Sequence, residues 1–208
     1  MIEVHHLNNS RSQRVLWLLE ELGLPYEIVP YQRDPKTSLA PEALRKIHPL
    51  GKSPVIRDGS DVVIESGAIL EHIVRKHGKG RLAPAEGTPD ALRHLQFMHY
   101  AEGSAMLPVM LLLYTSRLGE AAAPLRPRIE SEMDNHMGYL DRELEGRQFF
   151  VGSDLTAADI QLSFPIQAAR MLHGLGRQPN LAAFLDRIHA RPAYRRALER
   201  GGPYAFGS

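Results

Sequence analysis

The run His48-Pro49-Leu50-Gly51-Lys52-Ser53-Pro54-Val55-Ile56, followed nine residues later by Glu65-Ser66-Gly67-Ala68-Ile69-Leu70, decides how this chain folds. The first run reads as a loop, a sharp turn, then a Ser-Pro step into a short β run. The second reads as the end of a strand, a serine at a helix start, then a helix. Together they describe a surface on which backbone amides, a helix N-terminus and a lysine converge, an arrangement suited to a small anionic peptide.

Toward the N-terminus, Ile2-Glu3-Val4-His5-His6-Leu7 has the pattern of a first strand, and Asn8 to Ser12 is polar and turn-forming. Val15, Leu16, Leu18, Leu19 and Leu22 then recur with the spacing of an amphipathic helix, and Gly23 stands where its C-cap belongs. Tyr26–Val29 reads as a second strand, and residues 38–47 as a short helix. Pro54–Arg57 and Val62–Ile64 flank Asp58-Gly59, a hairpin turn signal. Ile69, Leu70, Ile73 and Val74 mark a helix that ends at Gly78. The order β-α-β-α-β-β-α over residues 1–78 fits a thioredoxin-like α/β sandwich.

Toward the C-terminus, residues 79–88 carry glycine and proline punctuation and read as a linker. From 89 to 208 the pattern is helical throughout. Ile129, Met133, Met137, Leu140 and Leu144 form one apolar stripe; Leu181, Phe184, Leu185 and Ile188 form another. A helix is expected from Pro89 to about Leu118, kinked or interrupted at Pro108. Leu155-Thr156-Ala157-Ala158-Asp159-Ile160 has the form of a capping box and hydrophobic staple. Asp159 is therefore read as a helix-start residue rather than a catalytic acid.

Composition narrows the function. The chain has 208 residues, 43% of them hydrophobic, and a net charge of +1. That balance argues against binding nucleic acid through a basic face. Cysteine is absent, so a thiol in the chemistry has to come from a ligand. No N-terminal signal and no apolar run near the ~20 residues of a membrane helix is visible, and a soluble cytoplasmic protein is expected. The ten histidines raise the question of metal binding. There is no HExxH, and the pairs His72/His77 and His94/His99 are five apart, off one helical face. No metal is expected.

Across essentially its whole length the chain resembles the cytosolic glutathione S-transferase family. The resemblance is carried by the β-α-β start, residues 48–54, Glu65-Ser66, the linker and Leu155-Thr156-Ala157-Ala158-Asp159. Asn8-Asn9-Ser10-Arg11-Ser12-Gln13-Arg14 with Trp17-Leu18-Leu19-Glu20-Glu21-Leu22 is most similar to a bacterial and fungal branch of yeast-type transferases. The resemblance implies a thioredoxin-like N-terminal domain, an all-α C-terminal domain, glutathione as co-substrate and a homodimer. It implies a cis Ser53-Pro54 bond and a Ser53 main chain that pairs with the cysteinyl part of glutathione. It sets Ser66 and the helix N-terminus at the γ-glutamyl carboxylate, Glu65 at the α-ammonium and Lys52 at the glycyl carboxylate. His48 is a lesser candidate for the same ligand.

The thiol-activating position is read from the same resemblance. Family members use Tyr, Ser or Cys near the end of the first strand. Cys is absent, and the tyrosine position corresponds to about His6 or Leu7. Counting back from Arg14, Ser10 falls at the serine position and is placed first as the catalytic residue. Ser12 and Asn9 remain alternatives, and Arg11 is a candidate for added positive charge. The electrophile is expected between the domains, against Leu7, Tyr100, Ser104, Met106, Leu107, Met110 and Tyr114, about half of which are expected to be plain core. Transfer of glutathione to an apolar electrophile is the expected activity, with peroxidase activity on the same thiolate. Two other readings stand beside it: a non-catalytic glutathione-binding or regulatory protein, and a glutathione-dependent isomerase.

Overall fold

A computed structural model describes residues 1–207. By contacts it divides into two units, one running from Met1 to Leu82 and joined by the residues from His189 onward, the other Ala83–Ile188. The C-terminal segment thus packs with the first unit, whereas the sequence pattern places it with the helical half.

The first unit is built on a four-stranded sheet. Strand β1 (Ile2–Leu7) lies parallel to β2 (Tyr26–Tyr31) and antiparallel to β3 (Val55–Asp58), and β3 pairs antiparallel with β4 (Asp61–Val63), in the order β2-β1-β3-β4. Asp58 pairs with Asp61, so the hairpin turn falls on Gly59-Ser60, one residue later than the Asp58-Gly59 signal suggests. Gly59 takes φ +67° at the first turn position, where a side chain is disfavoured. Residues 38–47 do not form an α-helix. Only a 3-10 turn, Glu42–Lys46, is present, because Pro41 and Pro49 leave room for little more.

Helix α1 (Ser12–Leu22) is buried at nine positions, from Ser12 through Leu19 and at Leu22. One apolar stripe faces the sheet. The opposite side is covered by the last helix, Pro192–Gly201, whose Tyr194 meets Trp17 edge-on at 5.2 Å. Arg196 and Arg200 pair with Glu20, and Arg191 pairs with Glu21. Gly23 ends α1 in the left-handed conformation, φ +64°. Helix α2 (Ser66–His77) buries Ile69, Leu70, Ile73 and Val74.

The helical unit holds α3 (Pro89–Tyr100), α4 (Met106–Thr115), α5 (Arg126–Glu143), α6 (Ala157–Leu172) and α7 (Pro179–His189); Pro192–Gly201 is α8. Between α3 and α4 the chain widens into a π-type turn, Ala101–Ala105, in which the Met106 N–H reaches the Ala101 carbonyl. Pro108 has no N–H to give the Ser104 carbonyl. The helical path nevertheless runs on through Pro108, so the expected break is replaced by a wide turn just ahead of it. Thr88 caps α3 by accepting the Ala91 N–H at 3.2 Å.

The capping box at α6 forms as the spacing predicts. Asp159 is fully buried. Its Oδ2 accepts the Thr156 N–H at 2.8 Å and the Thr156 hydroxyl at 2.9 Å, and its Oδ1 accepts the Phe150 N–H at 2.8 Å. Burial pushes its carboxyl up to about 6, against the pull of these donors. The carboxylate therefore starts the helix and also fastens the preceding loop to it.

Candidate functional site

Three segments of the first unit are tied together by side-chain bonds. The Ser53 hydroxyl donates to the His5 carbonyl at 2.9 Å and accepts the Leu7 N–H at 3.2 Å. It thereby takes over from the ladder that ends at the His5–Val55 pair and fixes the approach to β3 against the end of β1. The Ser53-Pro54 peptide bond is cis. Because the Ser53 side chain is spent on β1, what it offers a ligand is its main chain. The turn before it closes with the Gly51 N–H on the His48 carbonyl at 2.9 Å. Gly51 holds φ +59°, and a Cβ there would lie 2.8 Å from the Arg45 side chain. His48 Nδ1 accepts the Leu50 N–H within this turn. Lys52 is exposed.

Arg14 makes the second tie. Its buried guanidinium donates to Ser66 Oγ at 2.8 Å, joining α1 to the start of α2. Ser66 is not the N-cap that the sequence suggests. The cap position is Glu65, with φ +64° and ψ +116°, and its side chain makes no capping bond. Such a backbone is costly for a residue with a Cβ and is a frequent mark of a functional position. Glu65 is exposed, and the helix N-terminus it precedes has no capping side chain on its first N–H groups. Nothing in the local spacing around Arg14 signals that it holds Ser66 across 52 positions.

The loop at the end of β1 makes the third element. Asn9 takes φ +50°, and its Oδ1 accepts the Ala205 N–H at 2.7 Å. Arg33 donates to the Asn8 and Asn9 carbonyls at 3.1 and 3.0 Å and holds the loop from below. Arg11 occupies the position before α1 and makes no side-chain capping bond. Ser10 and Ser12 are both buried, and their hydroxyl oxygens lie 2.8 Å apart. Ser12 does not cap α1; its hydroxyl is 2.8 Å from His6 Nδ1.

The helical unit carries a cavity of about 490 Å³, lined by Gln96, Phe97, His99, Tyr100, Gly103, Ser104 and Tyr139. Tyr100 and Ser104 were expected in an electrophile pocket. Met106 is instead core of the helical unit, Leu7 is core of the sheet, and Leu107 and Tyr114 are exposed. Of the lining residues missed in the sequence, Gln96 and His99 follow the i, i+3 spacing of one face of α3, and Gly103 comes from the wide turn after it. The Tyr100 hydroxyl lies 2.6 Å from His136 Nδ1, and His136 Nε2 is 3.3 Å from Glu132. Burial keeps the Tyr100 hydroxyl protonated well above its ordinary range. Among the described residues no cluster of three or more His, Cys, Asp or Glu is arranged to hold a metal ion.

Comparison with known proteins agrees with this architecture. The family model for the glutathione S-transferase N-terminal domain matches residues 1–75, and that for the C-terminal domain matches residues 106–199. Glutathione S-transferase 3 of Schizosaccharomyces pombe is 37% identical over 96% of this chain and 88% of its own length. A glutathione S-transferase structure from Actinobacillus pleuropneumoniae superposes with a TM-score of 0.90 at 33% identity, covering 99% of this chain and 95% of that one. A glutathione transferase family member from Pseudomonas fluorescens, solved with two glutathione molecules bound, has a TM-score of 0.81 at 27% identity, covering 95% and 92% of the two chains. A thioredoxin-like domain, a helical domain and identity sustained over nearly the full length show that the chain belongs to the glutathione S-transferase family.

Proposed function

We propose that this transferase binds glutathione across the Ser53-Pro54 and Glu65-Ser66 segments and activates its thiol at the loop before α1, for attack on an apolar electrophile. The observation that carries the proposal is the pair of ties just described. Ser53 is bonded to the end of β1, and Ser66 is bonded through Arg14 to α1, so the peptide-binding segments and the thiol loop form one rigid constellation.

Within it, the Ser53 main chain takes the cysteinyl backbone as one more β rung. The N-terminus of α2 and Ser66 take the γ-glutamyl carboxylate. Glu65 takes the α-ammonium, and Lys52 the glycyl carboxylate. Ser10 is the proposed donor to the sulfur, helped by the positive end of α1 and by Arg11. A hydrogen bond donated to the thiolate favours it over the thiol, whose free pKa is about 8.5. The reading extends to a cytoplasmic homodimer; the large exposed side chains Leu92, Leu95, Leu107, Leu111 and Tyr114 along α3 and α4 favour association. Among the described residues no helix is long and apolar enough to cross a membrane.

The test pairs calorimetric titration of glutathione with a turnover assay on an aryl halide and on an organic hydroperoxide. Binding together with formation of the thioether adduct is expected. Binding without turnover on either substrate would select a glutathione-binding protein that does no chemistry, and isomerisation without adduct would select a cofactor use of glutathione.

A further inference from the structure

His6 on β1, Ser10 in the loop and Ser12 at the start of α1 form one buried hydrogen-bonded chain, and donor counting gives it a direction. His6 Nε2 lies 3.1 Å from the Gly201 carbonyl oxygen. A carbonyl only accepts, so Nε2 carries a proton. Burial holds the His6 imidazole below its ordinary value, so at neutral pH the ring is neutral and Nδ1 bears a lone pair. Ser12 Oγ, 2.8 Å from Nδ1, donates its single proton there; the Leu7 carbonyl at 3.2 Å is the weaker acceptor for the same proton. The 2.8 Å contact between the two serine oxygens then requires Ser10 to be the donor. Ser10 Oγ in turn accepts the Ser12 N–H at 3.2 Å. The one hydroxyl proton of Ser10 is thereby committed inside the protein.

We propose that His6 and Ser12 are positioning residues that latch the Ser10 hydroxyl, so that a bound thiolate must compete with Ser12 for the Ser10 proton. This rests on the reading that the glutathione sulfur lies at Ser10. The latch restrains activation, and it joins the thiol loop to the C-terminal segment through the Gly201 carbonyl. Gly201 suits that junction because a Cβ there would meet Gln13 Oε1 and Leu16 Cδ1 at 2.8 Å and His6 Nε2 at 3.4 Å.

The charged and titratable groups on the elements that carry the latch are Arg11 and Arg14 at α1, Arg33 on the Asn8 and Asn9 carbonyls, Tyr204, which feels both Arg14 and Arg11, and Arg200, whose guanidinium sits on Glu20 and the Tyr26 carbonyl. Asp58 of β3 lies at the far end of β1, opposite Ile2. The arginines stay cationic, and burial holds the Tyr204 hydroxyl well above 10. Of these groups, His6 is the one that gains charge in acid, and burial moves that step below its ordinary range. A charged His6 would donate from Nδ1 to Ser12 and turn the Ser12 proton to the Leu7 carbonyl, leaving Ser12 able to accept from Ser10 still.

The test is thiolate absorbance against pH for glutathione complexes of the wild type, Ser12→Ala, Ser12→Thr and the Ser10→Ala/Ser12→Ala pair. Ser12→Ala is expected to lower the apparent pKa of the bound thiol by up to about one unit, because a competitor for the Ser10 proton is gone. Ser12→Thr should keep the wild-type value, and the double variant should lose the gain. A Ser12→Ala protein that binds glutathione with an unchanged or raised thiol pKa overturns the latch. A wild type that binds no glutathione overturns the underlying reading and the latch with it. If Ser12→Ala does not fold, the imidazole nitrogen shifts of His6 in the wild type decide: a neutral Nε2–H tautomer supports the latch, an Nδ1–H tautomer overturns it.

Discussion

Glu65 and Ser66 are neighbours with different work. Glu65 is exposed, holds an uncommon backbone conformation and makes no capping bond, and the proposed function gives its carboxylate to the ligand ammonium. Glu65→Ala is expected to weaken glutathione binding by about 1.5–3 kcal/mol, the range for a hydrogen bond to a charged group, with the melting temperature nearly unchanged. Calorimetric titration beside a thermal melt checks both halves, and undiminished affinity would remove Glu65 from the site. Ser66 accepts the buried Arg14 guanidinium. Ser66→Ala should therefore lower stability as well as affinity, and a loss of affinity alone would show that the Arg14 tie is dispensable. At Ser10, replacement by Ala should raise the pKa of the bound thiol by about one unit, with the Ser53 and Glu65 contacts to the ligand intact. The roles of Glu65 and Lys52 came from a resemblance to a motif. The Arg14–Ser66 bond spans 52 positions and leaves no trace in local spacing.

At the scale of elements, the β3–β4 hairpin is fastened to α2 chiefly by Asp58, with Asp61 also 3.5 Å from Lys76. Asp58 Oδ2 lies 2.8 Å from both His72 and His77 and 2.9 Å from Lys76. Burial alone would raise its carboxyl, but hydrogen bonds from His77, Lys76 and His72 hold it well below the usual carboxylate range. A depressed folded-state pKa contributes stability above the unfolded value of about 3.9 and loses it as the pH falls below that. The melting temperature should accordingly drop below about pH 4, and Asp58→Asn should flatten that drop while lowering stability at pH 7. An acid limb as steep in Asp58→Asn as in the wild type would refute the linkage. For Asp159, the capping role predicts that Asp159→Ala costs at least the ~0.5–2 kcal/mol of a lost cap, with near-normal specific activity in the folded fraction. A stable but inactive variant would make it a catalytic residue. These elements were legible because caps and apolar periods are local: Thr156-x-x-Asp159, Gly23 and the α2 stripe all formed as read. The misplacements are local too. The hairpin turn moved by one residue because Asp58 was needed in the strand, and the Pro108 break became a π-type turn because the helix could widen one turn earlier.

At the scale of the molecule, the sequence shows two architectures in one chain, but it hides where the last helix goes. The α8 segment is rich in arginine and reads as a solvated face. In the fold Arg191, Arg196 and Arg200 pair with Glu20 and Glu21 while Tyr194 packs on Trp17, so a polar-looking helix packs on α1. The same segment brings Gly201 to His6, some 195 positions apart, which is why the latch had no signature in the sequence. The most decisive measurement is the ultraviolet titration of saturated glutathione complex against free glutathione. A bound thiol whose apparent pKa lies clearly below the free value of about 8.5 is the expected result, and a complex that titrates like glutathione in water would contradict thiol activation by this fold.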